Sequence, residues 1–189
     1  MKVSKEQAAE HHQSIIEAAA QSFRENGFDG VSVSDIMRKA RLTHGAFYGH
    51  FGSKSALAAA ACRFAFDERL GGWTNDVSLS DYLDRYVSVL HRDKRGRGCP
   101  MAAFASDISR QHKTVQKEYE AGVSRYRERI ASWLSKTGSN KAARDADASA
   151  ILATMVGSIV LARSTFSNGP LSARILTETR SVIASRFGV

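Results

Sequence analysis

Hydroxyl, imidazole, guanidinium and amine groups crowd one short stretch, residues 31–54, which reads VSVSDIMRKARLTHGAFYGHFGSK. From Ile36 to Lys54 there are four cations (Arg38, Lys39, Arg41, Lys54) and no acid. These groups suit a polyanion that also presents hydrogen-bonding edges, as duplex DNA does. The Thr43 and Tyr48 hydroxyls can bond a phosphate or a base. His44 can donate to N7 or O6 of guanine, or meet a phosphate. Gly45 permits close backbone approach. Ser32 and Ser34, at the start of a helix, can bind backbone phosphates from the other flank.

Two short helices must position these groups. Ser32 or Ser34 can cap the first, because a serine oxygen accepts from an unpaired N–H of the first turn. Val33, Ile36, Met37 and Ala40 then repeat at helical spacing. Arg41 and Leu42 make the turn, and Thr43 is placed to cap the second helix. Phe47 and Phe51 share one face of that helix; His44, Gly45, Tyr48 and Gly49 share the other. One apolar face, one polar-cationic face and a tight turn describe a helix-turn-helix. Core packing is the competing reading for Tyr48.

The stretch resembles the DNA-binding module of the TetR/AcrR family of transcriptional repressors. The carrying residues are Phe28-Asp29-Gly30-Val31-Ser32-Val33 and Leu42-Thr43-His44-Gly45-Ala46-Phe47-Tyr48-Gly49-His50-Phe51-Gly52-Ser53-Lys54, with Tyr-x-His-Phe-x-x-Lys the most distinctive string. By motif the resemblance covers roughly the first third of the chain, and beyond that only length and helical layout. It implies that His50 and Lys54 contact phosphates, although helical geometry puts His50 only at the edge of the exposed face. A structural hydrogen bond inside the head is the alternative for His50. Lys54 would clamp a phosphate at the start of a helix linking head to body.

Four positions depart from the family pattern. Gly49 stands where many members place a larger base-contacting side chain, so specificity rests on few contacts, helped by DNA shape. Arg41 sits in the turn where glycine is usual, and a positive φ there costs of order 1 kcal/mol. Its guanidinium is expected near a phosphate. His11 and His12 occupy positions where the family carries Arg or Lys. Adjacent helical residues lie about 100° apart, so this pair is not a metal site.

The whole chain has 189 residues, a net charge of +8, 43% hydrophobic residues and two prolines. That length can bury a core, the charge favours polyanions, and the composition favours an all-α fold. Cys62 and Cys99 form neither a disulfide framework nor a zinc spacing. The polar start (Met1-Lys2-Val3-Ser4) shows no secretory signal, and no apolar run approaches a membrane span. A soluble cytoplasmic protein without cofactor is expected.

Helices are expected over 5–26, ending at Gly27, and from Ser53 or Lys54 to Leu70, ending at Gly71-Gly72. Others follow over 81–91, 101–111, 114–136, 142–164 and after Pro170. Tyr82, Tyr86, Val89 and Leu90 read as the apolar side of 81–91. Arg92 to Gly98 reads as a solvated basic loop, and Thr137-Gly138-Ser139-Asn140 and Asn168-Gly169-Pro170 as breaks. The expected architecture is all-α with about nine helices: a three-helix DNA-binding head, 1–54, and an effector-binding and dimerisation body, 55–189.

The resemblance implies a homodimer through 142–164 and 170–187, packed as a four-helix bundle; burial within one subunit is the alternative. It also implies a small-molecule pocket, with Tyr86, Met101, Phe104, Tyr126, Trp133 and Met155 as lining or as plain core. Two recognition helices would stand about one DNA turn, ~34 Å, apart and bind a short imperfect palindrome. Repression is expected, since no polymerase-contacting surface is legible. Cys99 would stand at a helix N-terminus after Lys94, Arg95 and Arg97, which would favour thiolate and make it a sensor of electrophiles or oxidants. An inert buried thiol is the alternative, and Cys62 reads as inert. Two rivals are a non-specific architectural DNA-binding protein and a cysteine enzyme using a Cys99–His91 pair. No Gly-rich phosphate loop, His-Glu-x-x-His string or nucleophile elbow supports the enzyme.

Overall fold

The structure, a computed structural model, describes residues 4–73, 76–134, 140–166 and 169–189. Among these residues it is all helix and turn: α1 (Lys5–Asn26), α2 (Val33–Lys39), α3 (Lys54–Gly71), α4 (Leu79–Tyr86), α5 (Val89–Asp93), α6 (Pro100–Phe104), α7 (Lys113–Leu134), α8 (Lys141–Ser164) and α9 (Pro170–Phe187). Three 3₁₀ turns, His44–Gly49, Arg95–Arg97 and Ile108–Arg110, join them. The expected break at Thr137-Gly138-Ser139 and residue Asn168 lie outside the described residues.

Local signals set most helix starts. Ser4, Ser32, Ser53, Ser78 and Asn140 each accept from a first-turn N–H, removing an otherwise unpaired donor. Asp35 and Asp81 complete capping boxes with Ser32 and Ser78. Gly27 ends α1 at φ 74°, a conformation that glycine adopts without strain. Gly71 is the last residue of α3, with Gly72 capping it.

The helices pack in sequence. α1 lies on α3, α3 on α7, α7 on α8 and α8 on α9. α3 and α7 touch so closely that a β-carbon at Gly122 would run into the buried Phe66 ring. The core is one cluster from Ile15 to Ile183. Phe28 links the head to the rest, with its ring 5.0 Å from Phe23 and 4.7 Å from Phe104. The expected boundary at 54/55 falls at the first turn of α3, and the core runs across it.

Several expectations are corrected. Residues 81–91 are not one helix: the chain breaks at Val87 and Ser88, where Ser88 caps α5 by accepting from the His91 N–H at 3.1 Å. Val89 and Leu90 consequently face solvent. The helix expected over 101–111 ends at Phe104, because Ser106 and Arg110 both bond the Asp107 carboxylate and hold a turn. Arg92–Gly98 is only partly the solvated loop expected: Asp93, Lys94, Arg95 and Arg97 are exposed, but the segment is anchored in the fold. Arg92 is buried and donates to Ser172 Oγ at 2.9 Å, while Arg163 of α8 donates to the carbonyls of His91 and Arg92. α8 is in fact long and apolar enough to cross a membrane by length and composition alone. Its Ile151, Leu152, Met155 and Ile159 are instead buried within the fold.

His91 explains why the break is stable. Its Nδ1–H donates to the Tyr86 carbonyl at 2.7 Å and its Nε2 accepts from the Cys99 N–H at 2.9 Å. Acceptance at Nε2 requires a neutral ring, since a protonated imidazole has no lone pair left there. Burial pulls its pKa from an ordinary 6.5 down to about 4, with Arg163 and Arg69 lowering it further against the Tyr86 hydrogen bond. The unfolded chain therefore takes up this proton first as pH falls. The contribution is intact above pH 6.5 and is lost progressively between 6.5 and about 4, to roughly 3 kcal/mol at the low end. We expect the melting temperature to fall between about pH 7 and about pH 5. His91→Gln, which can still donate and accept but not titrate, should show a shallower fall; equal slopes would remove His91 from the account.

Candidate nucleic-acid interface

α1, α2 and the turn His44–Gly49 build one face from the residues that the sequence singles out. Phe47 and Phe51 are buried and stacked 6.0 Å apart, and they anchor the turn to the head. The polar residues are left outside. Ser32, Ser34, Arg41, Thr43, His44, Gly45 and Tyr48 are all exposed, and His50 and Lys54 are half-buried. Tyr48 is 70% exposed, so it is not core.

The second helix of the motif is 3₁₀, not α. Gly45 and Gly49 weaken an α-helix in a six-residue segment, and the Thr43 side chain makes no capping bond. A β-carbon at either glycine would meet nothing within 4 Å. The fold of the isolated chain therefore does not demand glycine at these positions. Arg41 has φ 60°, the one positive-φ residue other than glycine among those described. Its N–H donates to the Arg38 carbonyl and that of Leu42 to the Met37 carbonyl, closing α2.

Hydrogen bonds already engage part of this face. Ser32 Oγ donates to Asp35 at 2.6 Å while accepting from its N–H. The Ser32 bonds, and then Arg38, hold the Asp35 carboxyl below the usual range. Arg38 is paired with Asp35 at 2.6 Å and Lys39 with Glu25 at 3.4 Å. Ser34 Oγ lies 3.0 Å from His44 Nδ1. Tyr48 meets the His44 ring edge-on, centroids 6.2 Å apart.

A histidine cluster escaped sequence reasoning. His50 sits 6.3 Å from the His11 ring and 5.9 Å from that of His12, which stacks on Phe51 at 4.5 Å. Burial, then His12 and His11, lower the His50 pKa. Among the described residues no group of three or more His, Cys, Asp or Glu is placed to hold a metal ion. The Tyr-x-His-Phe string contains His50 but says nothing of its neighbours on α1.

In the body, Tyr86, Cys99, Met101, Phe104, Tyr126 and Met155 are buried and Trp133 is half-buried. Trp73, Tyr82, Tyr126 and Trp133 form an aromatic cluster, with Trp73 centroids 4.2, 4.8 and 5.2 Å from the other three. A groove of about 540 Å³ lies elsewhere, where Asp93–Arg97 meet Gln21 and Glu25 of α1.

The expected Cys99 thiolate is corrected. Cys99 is 1% exposed, and burial pushes its thiol pKa up, outweighing the smaller opposing influence of Tyr86 and of the nearby Ala102 and Met101 main chain. Lys94, Arg95 and Arg97 are exposed and do not offset that burial. His91 does lie beside Cys99, but through the main-chain N–H, and both ring nitrogens are engaged. His91 therefore has no free ring nitrogen to serve the thiol as a base. Burial raises Cys62 to about 12.

Comparison with known proteins gives the same picture. Residues 15–61 match the model of bacterial regulatory proteins, tetR family, and residues 77–175 that of the LmrA/YxaF-like transcriptional regulator C-terminal domain. The HTH-type transcriptional repressor DhaR of Mycobacterium sp. (strain GP1) is 28% identical over 111 residues, 56% of each chain. The HTH-type regulator YvdT of Bacillus subtilis (strain 168) is 40% identical over 88 residues, 47% of this chain and 39% of that protein. The match thus spans about half or less of these relatives. A TetR transcriptional regulator of Chloroflexus aurantiacus J-10-FL shares the fold with a TM-score of 0.78 at 24% identity, covering 96% of both chains. Helix-turn-helix head and helical body each match their own model, and together these matches cover most of the sequence: the chain belongs to the TetR family of bacterial regulatory proteins.

Proposed function

We propose that this protein is a cytoplasmic homodimeric repressor that binds a short imperfect palindrome and is released by a small molecule. The observation that carries the reading is the exposed row Ser34, Arg41, Thr43, His44, Gly45 and Tyr48, seated on the buried Phe47–Phe51 pair. Tyr48 and His44 meet base edges. Ser32, Thr43, Arg41, His50 and Lys54 meet phosphates, and Ser34 lies on the same flank. Gly45 and Gly49, with open space around them, allow the groove wall to come close.

Dimerisation runs through α8 and α9. Ala146, Ala150, Ala153, Gly157, Val160 and Ser164 alternate in steps of four and three along α8, the seam geometry of packed helices. All are exposed except the half-buried Gly157. Leu161, Leu171 and Val182 are 57%, 55% and 59% exposed, which supports a second subunit rather than burial within one.

The effector reading uses the aromatic cluster, with Tyr86, Cys99, Met101, Phe104, Tyr126, Trp133 and Met155 around it. Trp73 stands just past the end of α3, and Lys54 begins that helix. A ligand that parts Trp73 from Trp133 displaces α3 and with it the head. It needs only to bind that displaced form more tightly than the DNA-bound one.

The reading is tested by footprinting the DNA upstream of the protein's own gene at fixed salt, with random competitor. A protected palindrome is expected. Equal, weak, salt-labile binding to all DNA would point to the architectural alternative. Val160→Glu, at an exposed position, should give a monomer by sedimentation and weaken operator binding at least tenfold; a stable dimer would refute this interface. Arg41→Gly should raise stability by about 1 kcal/mol by removing the positive-φ strain. It should also lower the slope of log K against log salt by about one. An unchanged slope would take Arg41 off the phosphate.

A further inference from the structure

Within the head, α2 and the 3₁₀ turn are tied at their outer edge by a side-chain hydrogen bond. Ser34 Oγ of α2 lies 3.0 Å from Nδ1 of His44, the first residue of the 3₁₀ turn. Both residues are exposed, so burial does not force this contact. Ser34 is also free of capping duty, which Ser32 performs. From the other side the Tyr48 ring stands edge-on to the imidazole at 6.2 Å. His44 is therefore held between two residues with its Nε2 edge left open.

We propose that Ser34 is a positioning residue for base recognition: its hydroxyl donates to His44 Nδ1 and keeps the imidazole in the tautomer that presents Nε2–H outward. The assignment rests on the reading of this face as the DNA-binding one. A neutral imidazole has one donor and one acceptor nitrogen, and the partner of one decides the role of the other. The purine edge in the major groove is rich in acceptors: N7 of adenine, and N7 and O6 of guanine. An outward Nε2–H matches it, whereas an outward lone pair would face another lone pair. Ser34 and His44 then act as one reader of a purine. The arrangement also changes the part Ser34 can play towards the backbone. With its only proton on Nδ1, the hydroxyl has none to give a phosphate oxygen.

The two roles leave different signatures. A phosphate contact carries no sequence information, and its loss weakens all duplexes alike and lowers the salt slope. Loss of a base-reading unit erases the preference at one base pair. The probe is a duplex selected by the wild-type protein from a randomised library. Wild type, Ser34→Ala, Ser34→Thr, His44→Ala and the double variant are titrated at fixed salt against it and against versions with each purine in a half-site replaced. We expect Ser34→Ala and His44→Ala to lose preference at the same base pair, by roughly tenfold. The double variant should be no worse than His44→Ala, and Ser34→Thr should retain the preference. In the free protein at mildly alkaline pH, ¹⁵N spectra of the His44 ring should show Nε2 protonated, with Nδ1 shifting in Ser34→Ala.

Uniform weakening of every duplex by Ser34→Ala with a reduced salt slope would overturn the assignment in favour of a phosphate contact. Additive losses in the double variant, or an His44 ring protonated on Nδ1, would overturn it too. Enrichment of no duplex at all would overturn the operator reading, and this assignment with it.

Discussion

A buried guanidinium joins the two halves of the molecule. The Arg24 side chain, near the end of α1, is only 2% exposed and pairs with Glu68 of α3 at 2.9 Å. It also donates to the carbonyls of Ala20 and Gly98. A cation taken out of water must keep its partners, because losing one leaves an uncompensated buried charge. Arg24 therefore holds α1, α3 and the segment before α6 at one point. Beside it Gly96 packs so tightly against Glu25 and Gln21 that a β-carbon there would run into the Glu25 carboxylate. Head and body meet at this point, and they cannot turn freely against each other.

With α1 and α3 tied, α3 behaves as a rod between two surroundings. Its first residue, Lys54, follows the 3₁₀ turn His44–Gly49, and Trp73 lies just beyond its last. Along its length it is pressed against α7, with Gly122 over the Phe66 ring. Packed helices of this kind move as units rather than bend. A displacement at the aromatic end of α3 is therefore felt at its Lys54 end.

The same side chain takes different parts in this fold, and its surroundings decide which. His91 is buried and held neutral by two main-chain groups. His44 is exposed and tied by one hydroxyl. His12 is spread on Phe51. Cys99 shows the same point against the simpler rule. It does sit at a helix N-terminus, yet its side chain makes no capping bond there and burial pushes its thiol pKa up.

What could be read from the sequence was short in range. The serine caps, the glycine ending α1, the periodicity of the long helices and the Tyr-x-His-Phe-x-x-Lys string all act within a few residues. They yielded the helical class, most long-helix boundaries and the set of exposed polar residues in the head. The strain at Arg41 was legible too, because a tight turn dictates its backbone. The 3₁₀ form of His44–Gly49, the break at Val87 and Ser88 and the burial of Arg92 were not. The first two rest on Gly45, Gly49 and Ser88, near in the chain but working against the helical period, and the burial of Arg92 depends on a partner that chain order does not reveal. Arg92 meets Ser172 eighty residues away, and Ser34 meets His44 across a turn. Local sequence determines which helices form, because caps and periodicity are paid out in neighbouring bonds. Only the tertiary structure decides which titratable groups lose water and which find a partner, because desolvation and pairing depend on every element packed around them.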